Sequence, residues 1–153
     1  MEQSSYSIKG LKIWNSTDGQ GYECKLYLGS QKIADCIHHG TGGEVEMRFS
    51  DDAEAQAFDR FLASQPKRQF PADWGDGEYA VDADVFMDDL VNEEQNRRVL
   101  KRYCSKKTLF RLKDDDPDGG WRTLSVPYDA RAQSYLDEKY GNQVEEIANK
   151  RFS

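Results

Sequence analysis

Long hydrophobic runs and cysteines are scarce in this sequence of 153 residues, and each scarcity excludes a class of protein. No apolar stretch approaches the ~20 residues that a membrane-spanning helix needs, so we expect no membrane segment. The three cysteines, Cys24, Cys36 and Cys104, are few and widely spaced, which argues against a secreted disulfide scaffold. The N-terminus has no basic region followed by an apolar stretch, so we expect no signal peptide and a cytoplasmic location.

Recognisable ligand sets and catalytic sets are missing as well. Residues 36–39 include one cysteine and two histidines, but adjacent histidines on a strand point to opposite faces and no C-x-x-C pair exists elsewhere. Residues 114–119 match the opening of a calcium loop, yet the twelfth position is Ser125 instead of a glutamate. Cys36 and His38 share a strand face without a third residue to orient a base. We therefore expect no metal, no cofactor and no enzymatic activity. An enzyme with an unrecognised site is an alternative.

Residues 6–49 alternate between apolar and polar side chains, with turn signals between four short segments. A period of two predicts strands, and their close spacing predicts a four-stranded antiparallel meander. The period changes at Ser50, where an N-cap and early acidic residues begin a helix that Pro66 ends. We expect this helix to pack on one face of the sheet. A three-residue loop near Gly29 predicts three cross-strand pairs: Cys24 with Cys36, Lys25 with Asp35, and Tyr27 with Ile33.

The rest of the chain predicts a second group of elements. These are one long helix, or two, over 81–106, a β-hairpin formed by 108–113 and 121–126, and helices over 129–140 and 144–152. Strands and helices are segregated instead of alternating, which is the α+β pattern. We predict a single α+β domain over 1–153, with a ββββα half at 1–65, an irregular connecting loop at 66–80 and an α-ββ-αα half at 81–153.

Charged side chains are sorted along the chain. The net charge is −7, but residues 51–94 carry thirteen acidic and three basic side chains, whereas residues 97–113 carry eight basic side chains and no acidic one. The sorting predicts two surface regions of opposite sign. Alternatively, the two regions balance each other within the chain.

The acidic region indicates a surface for a basic partner, because carboxylates this dense repel one another unless something compensates them. The alternative is a solvated helix face. We define the acidic face by six residues: Asp82, Asp84, Asp88, Asp89, Glu93 and Glu94. The adjoining loop carries three large aromatic residues, Phe70, Trp74 and Tyr79. They predict a contact surface of the hot-spot type. The alternative is a flap packed over the core.

The basic region indicates a different partner. We define the basic segment by the residues expected to contact nucleic acid: Arg97, Arg98, Lys101, Arg102, Lys106 and Lys107. Four-residue spacing places several of them on one helix face, where they could bind phosphates. The alternative is that they complement the helix dipole and the acidic residues.

Several short motifs resemble a family of small uncharacterised proteins of phages and mobile elements. In the first half they are Leu11-Lys12-Ile13, Asp18-Gly19-Gln20-Gly21-Tyr22, Leu26-Tyr27 and Gly42-Gly43. In the second half they are Thr108-Leu109-Phe110-Arg111-Leu112-Lys113, Trp121-Arg122-Thr123-Leu124 and Lys139-Tyr140-Gly141-Asn142. The resemblance implies a mobile-element role and transfers no catalytic residue.

From these observations we expect a protein-binding inhibitor or adaptor of mobile-element origin, for example an anti-CRISPR or other anti-defence protein. Its partner is expected to be a protein, with a nucleic-acid-binding host protein as one form. A nucleic-acid-binding accessory protein that uses the basic segment is the alternative.

Overall fold

The computed structural model describes residues 5–152, and the chain divides into two compact units, Met1–Glu94 and Gln95–Ser153. Each unit contains strands and helical segments, which confirms the predicted α+β class. The division falls inside the longest helix, whereas we placed the two halves at 1–65 and 81–153. That the chain is a single domain stays a prediction. Within the described range, none of the helices combines the length and the apolar character needed to cross a membrane.

The first unit is built on a four-stranded antiparallel sheet. Its strands are β1 (Tyr6–Ser16), β2 (Gly19–Leu28), β3 (Gln31–His38) and β4 (Glu46–Phe49), and they lie side by side in chain order. Residues at alternate positions of β2 are buried, as the period of two predicts. The buried face of the sheet therefore forms one wall of the core.

The register between β2 and β3 differs in part from our expectation. Two expected pairs are present, Cys24 with Cys36 and Lys25 with Asp35. Tyr27, however, pairs with Lys32, and our expectation that it pairs with Ile33 is wrong. The loop has two residues, because Leu28 pairs with Gln31. A bulge then inserts Ile33 as an extra, fully buried residue, and this insertion restores the register farther along the strand.

Two helices contribute to the core of the first unit. α1 (Asp52–Ala63) is capped by Asp51, one residue after the expected Ser50, and the Asp51 carboxylate accepts the Glu54 backbone N–H at 2.8 Å. α2 (Ala83–Cys104) is a single helix. The most deeply buried helix side chains of this core are Phe58, Phe86, Met87 and Val91.

The segment 66–80, which we expected to be irregular, contains a short hairpin. Its strands are β5 (Arg68–Gln69) and β6 (Glu78–Tyr79), which pair antiparallel. A 3₁₀ helix, Ala72–Trp74, lies between the strands. The hairpin matters for function because it carries the aromatic residues of this segment.

The second unit contains the last part of α2, a smaller sheet and a further α-helix. Its strands are β7 (Thr108–Leu112), β8 (Arg122–Leu124) and β9 (Val144–Ile147), with β7 in the middle. α3 (Ala130–Tyr140) is capped by Asp129, whose carboxylate accepts the Ala132 backbone N–H at 2.9 Å. The core of this unit centres on Phe110, Leu136 and Ile147.

Our prediction of a C-terminal helix over 144–152 is wrong. The segment forms β9 followed by a 3₁₀ helix, Ala148–Phe152. As a strand, it pairs with β7 and buries Ile147 beside Phe110. Pairing with an existing strand satisfies the backbone polar groups, and this tertiary contact overrides the local preference for a helix.

A buried asparagine fastens the end of α2 to β7. Asn149 is only 8% exposed, and its side-chain oxygen accepts the Leu109 backbone N–H at 2.9 Å. Its amide nitrogen donates to the carbonyl oxygens of Cys104 at 3.1 Å and Lys107 at 2.8 Å. One side chain thus satisfies three backbone groups where the helix gives way to the strand.

Candidate interaction surface

The β5–β6 hairpin has a defined backbone geometry. Arg68 pairs with Tyr79 and Gln69 with Glu78. The Phe70 backbone N–H donates to the Gly77 carbonyl at 3.0 Å and extends the ladder by one bond. The hairpin backbone therefore holds the side chains of this segment in fixed directions.

Three aromatic side chains form a continuous surface on this hairpin. The ring centroids of Phe70 and Trp74 lie 6.4 Å apart, and those of Phe70 and Tyr79 lie 5.3 Å apart. We call these three residues the aromatic ledge. Trp74 is 74% exposed and Phe70 is 38% exposed, while Tyr79 is half-buried. The alternative that the loop is a flap closed over the core does not fit a tryptophan this exposed.

An ion pair ties the ledge to α2. The Arg68 guanidinium donates to the Asp89 carboxylate at 2.5 Å. This bond is the main cause of the raised pKa of Arg68, and the Tyr79 hydroxyl adds to the effect. Since Arg68 pairs with Tyr79 across the hairpin and is bound to Asp89, it links the base of the ledge to α2.

Three residues of the acidic face have structural partners. The Asp82 carboxylate accepts the Val85 backbone N–H at 2.9 Å and caps α2. The Asp84 carboxylate accepts the Val45 backbone N–H at 2.8 Å and holds the loop before β4. Asp89 is bound to Arg68, as described above. These three carboxylates therefore contribute to the fold, and this limits their use for a partner.

The other members of the acidic face differ in exposure. Asp88 and Glu93 are exposed, and Glu94 is half-buried. Partial desolvation raises the pKa of Asp88, the neighbouring carboxylates add to the rise, and His38 opposes it. Asp88 and Glu93 are the residues of this face that remain accessible to a partner.

Three further acidic residues flank the ledge, and our sequence reasoning did not single them out. Asp73, Asp76 and Glu78 are exposed. No hydrogen bond or ion pair involves their carboxylates within residues 5–152. They belong to the stretch 69–96, which has no basic residue and no histidine. The mixing of acidic and aromatic residues in this stretch is the signal that could have found them.

The basic segment is exposed in the second unit. Lys101, Arg102, Lys106 and Lys107 are all exposed, and in the part of the chain that the structure describes their side chains form no ion pair. Tyr103, among them, is 53% exposed. Arg97 and Arg98 are also exposed. Lys101 and Arg102 lie in the last turn of α2, where positive charge complements the helix dipole.

The two histidines point to opposite faces of the first sheet. His38 stacks on Tyr22 on the core face, with ring centroids 5.5 Å apart, whereas His39 lies 3.5 Å from Glu46. The Gly40 backbone N–H donates to His38 Nδ1 at 3.1 Å. Among residues 5–152, no three histidine, cysteine or carboxylate side chains gather as a metal site would require.

The outer face of the first sheet has a depression of about 410 Å³. Part of its charged lining is compensated, because Lys12 lies 3.6 Å from Glu23, and Asp35 lies 2.8 Å from Lys32. The Lys32 ammonium lowers the pKa of Asp35, with smaller contributions from Lys25 and Arg48. Opposite charges that already pair within the protein make this face a weaker candidate than the aromatic ledge.

No protein-family model matches this chain, and no curated protein and no solved structure is similar to it. The resemblance to mobile-element proteins therefore stays a prediction. The functional proposal therefore rests on the exposure, contacts and charge of the residues described above.

Proposed function

We propose that this protein is a non-catalytic inhibitor or adaptor that binds a basic protein through the aromatic ledge and the acidic residues beside it. The observation that supports the proposal most is the exposure of Trp74, which is 74% accessible on an ordered hairpin. Exposed aromatic clusters mark interaction sites, and tryptophan is enriched among the residues that contribute most binding energy.

The geometry favours binding because the ledge is already ordered. Its rings contact one another, and the Arg68–Asp89 ion pair ties the hairpin to α2. A partner that meets a fixed surface loses less conformational entropy than one that must order a loop. The ledge can therefore serve as a preformed anchor.

The charge around the ledge favours a basic partner. The stretch 69–96 carries nine acidic residues and no basic one, and Asp73, Asp76 and Glu78 flank the rings directly in the chain. Complementary charge steers association and disfavours acidic partners. A nucleic-acid-binding host protein has a basic surface of this kind, because it must contact phosphates. We propose such a protein as the partner and an anti-defence role, such as inhibition of a CRISPR effector, as the biological form.

Quantitative affinity capture from a bacterial lysate tests the proposal. Immobilised wild-type protein, Trp74→Ala and Tyr135→Ala are compared, since Tyr135 is an aromatic residue of similar kind that is 44% exposed in the second unit. We expect the wild type and Tyr135→Ala to retain the same basic proteins from the lysate. Trp74→Ala should fail to retain them. Identical sets for all three proteins would contradict the proposal.

A second comparison tests the acidic contribution. Asp88→Lys combined with Glu93→Lys reverses two exposed charges, while Asp84 and Asp89 are left in place because they hold the fold. We expect this variant to lose the same basic proteins at physiological salt. If this variant retained the same basic proteins, the contact with the partner would be restricted to the aromatic ledge, and the acidic face would be excluded from it.

Nucleic-acid binding is the second candidate. It is favoured by four exposed side chains that form no ion pair with any residue in the range 5–152: Lys101, Arg102, Lys106 and Lys107. Four phosphate contacts would make the logarithm of affinity fall with the logarithm of salt concentration at a slope of about −3 to −4. Fluorescence anisotropy with a labelled oligonucleotide measures this slope. A flat salt response would exclude the candidate.

A further inference from the structure

The aromatic ledge presents a combination of groups that needs a ligand of specific chemistry. Its rings are inclined to one another by 33° at both contacts, so they form a broad surface. Trp74 is the most exposed member of this surface. The carboxylates of Asp73 and Asp76 lie on either side of Trp74 in the chain and are exposed. A ligand for this site should offer a flat face to a ring and positive charge to a carboxylate.

Among the described residues, no cation lies over a ring of the aromatic ledge. Arg68, which lies at its base, is held by Asp89 at 2.5 Å. Over residues 5–152, the cations that lie on aromatic rings are found at Tyr27, Trp121, Tyr135 and Tyr140, and none is found at Phe70, Trp74 or Tyr79. The ring of Trp74, which is 74% exposed, is therefore available to a cation from outside.

The same chain shows how one of its tryptophans takes up a guanidinium. The Arg111 guanidinium carbon lies 3.9 Å from the Trp121 ring centroid, and Arg111 Nη2 donates to the Gly119 carbonyl at 2.8 Å. A planar guanidinium can stack on indole and still donate hydrogen bonds from its edge. An ammonium is compact and more strongly hydrated, and it cannot do both in this way.

We propose that the ledge recognises an arginine side chain of the partner, with the guanidinium stacked on Trp74 and its edge donating to the carboxylates of Asp73 and Asp76. The inference rests on the proposed function, because it names the chemical group by which the basic partner is bound. Lysine-rich partners of the same charge are bound more weakly.

The test compares two labelled peptides of equal length and charge, in which glycine and serine separate four arginines or four lysines. Fluorescence anisotropy at low salt measures both dissociation constants for the wild type, Trp74→Ala, Asp73→Asn combined with Asp76→Asn, and Tyr135→Ala. Because Trp74 is exposed, its replacement should leave the fold intact. Far-UV circular dichroism checks this for each variant.

We expect the wild type and Tyr135→Ala to bind the arginine peptide about three- to tenfold more tightly than the lysine peptide. Trp74→Ala should bind both peptides equally, since only the stacking is lost. The double Asp→Asn variant should bind both peptides more weakly than the wild type does, and it should keep part of the preference for the arginine peptide. Equal binding of both peptides by the wild type would overturn the arginine inference and leave a basic partner in place. Binding of neither peptide would overturn the proposed function and the inference together.

Discussion

Replacing Asn149 by alanine should loosen the second unit selectively. Its side chain satisfies one backbone N–H and two carbonyl groups, at Leu109, Cys104 and Lys107, over distances of 2.8 to 3.1 Å. Asn149 is 8% exposed and Leu109 is 5% exposed, so water cannot easily replace the lost acceptor. The change therefore leaves a buried donor without a partner.

The expected cost follows from these groups. An unsatisfied buried N–H costs about 1–3 kcal/mol, and two partly accessible carbonyls add about 0.5 kcal/mol each. The total is about 2–4 kcal/mol, which corresponds to a roughly 30- to 700-fold rise in the population of open states. Asn149→Asp should cost at least as much, because a carboxylate would face two carbonyl oxygens.

Amide hydrogen exchange measured by mass spectrometry reads out this opening strand by strand. We expect exchange in β7 to accelerate by the factor given above for Asn149→Ala. Asn142→Ala serves as the matched control, because Asn142 is an exposed asparagine in the same unit. A change of less than about threefold in β7 would show that Asn149 does not clamp this strand, because threefold corresponds to only about 0.7 kcal/mol.

Two further predictions concern single ionisable groups. Hydrogen bonds from Arg122 and from the Leu112 backbone lower the pKa of Asp115 to about 2. Its stabilising effect should thus be complete above pH 4 and be lost as the pH falls through about 2. A carbon-detected NMR titration should find this value in the wild type and a value nearer 3.8 in Arg122→Gln, whereas identical titrations would contradict the assignment. Among the cysteines, Cys104 is half-buried, whereas Cys24 and Cys36 are buried. The Cys104 thiol should therefore react first with a thiol reagent in the native protein. Peptide mapping that finds the first label on Cys24 or Cys36 would contradict the burial pattern.

The sheet of the first unit could be predicted because its side chains alternate. Cys24 and Cys36 share a buried face, and simple counting across the loop already places them opposite each other. The same counting gave the wrong partner for Tyr27 next to the turn, because the loop has two residues and Ile33 forms a bulge. Ile33 and Ala34 are consecutive apolar residues that are both buried, and such a break in alternation is the signal of a bulge.

The C-terminal segment could not be predicted from local pattern alone. The local pattern of residues 144–147 favours a helix, but they form a strand because β7 offers an unpaired edge far away in the sequence. The 3₁₀ turn that follows places Asn149 where it reaches Leu109, forty residues earlier in the chain. Contacts of such long range are not visible in a single sequence.

The candidate site was predictable by residue type and not by geometry. An exposed aromatic cluster follows from the breakers around Trp74, and the structure places all three aromatic residues in contact. That Asp84 and Asp89 would have structural partners depends on Val45 and Arg68, which are distant in the chain. The acidic face is therefore smaller than its sequence indicates.

The most direct measurement is the dissociation constant of a captured basic protein for wild-type protein and for Trp74→Ala, obtained by isothermal titration calorimetry. A tryptophan that anchors an interface contributes about 2 kcal/mol or more, so we predict affinity at least about thirtyfold weaker for the variant. Dissociation constants that agree within about twofold, a difference of only about 0.4 kcal/mol, would show that the aromatic ledge is not the binding surface.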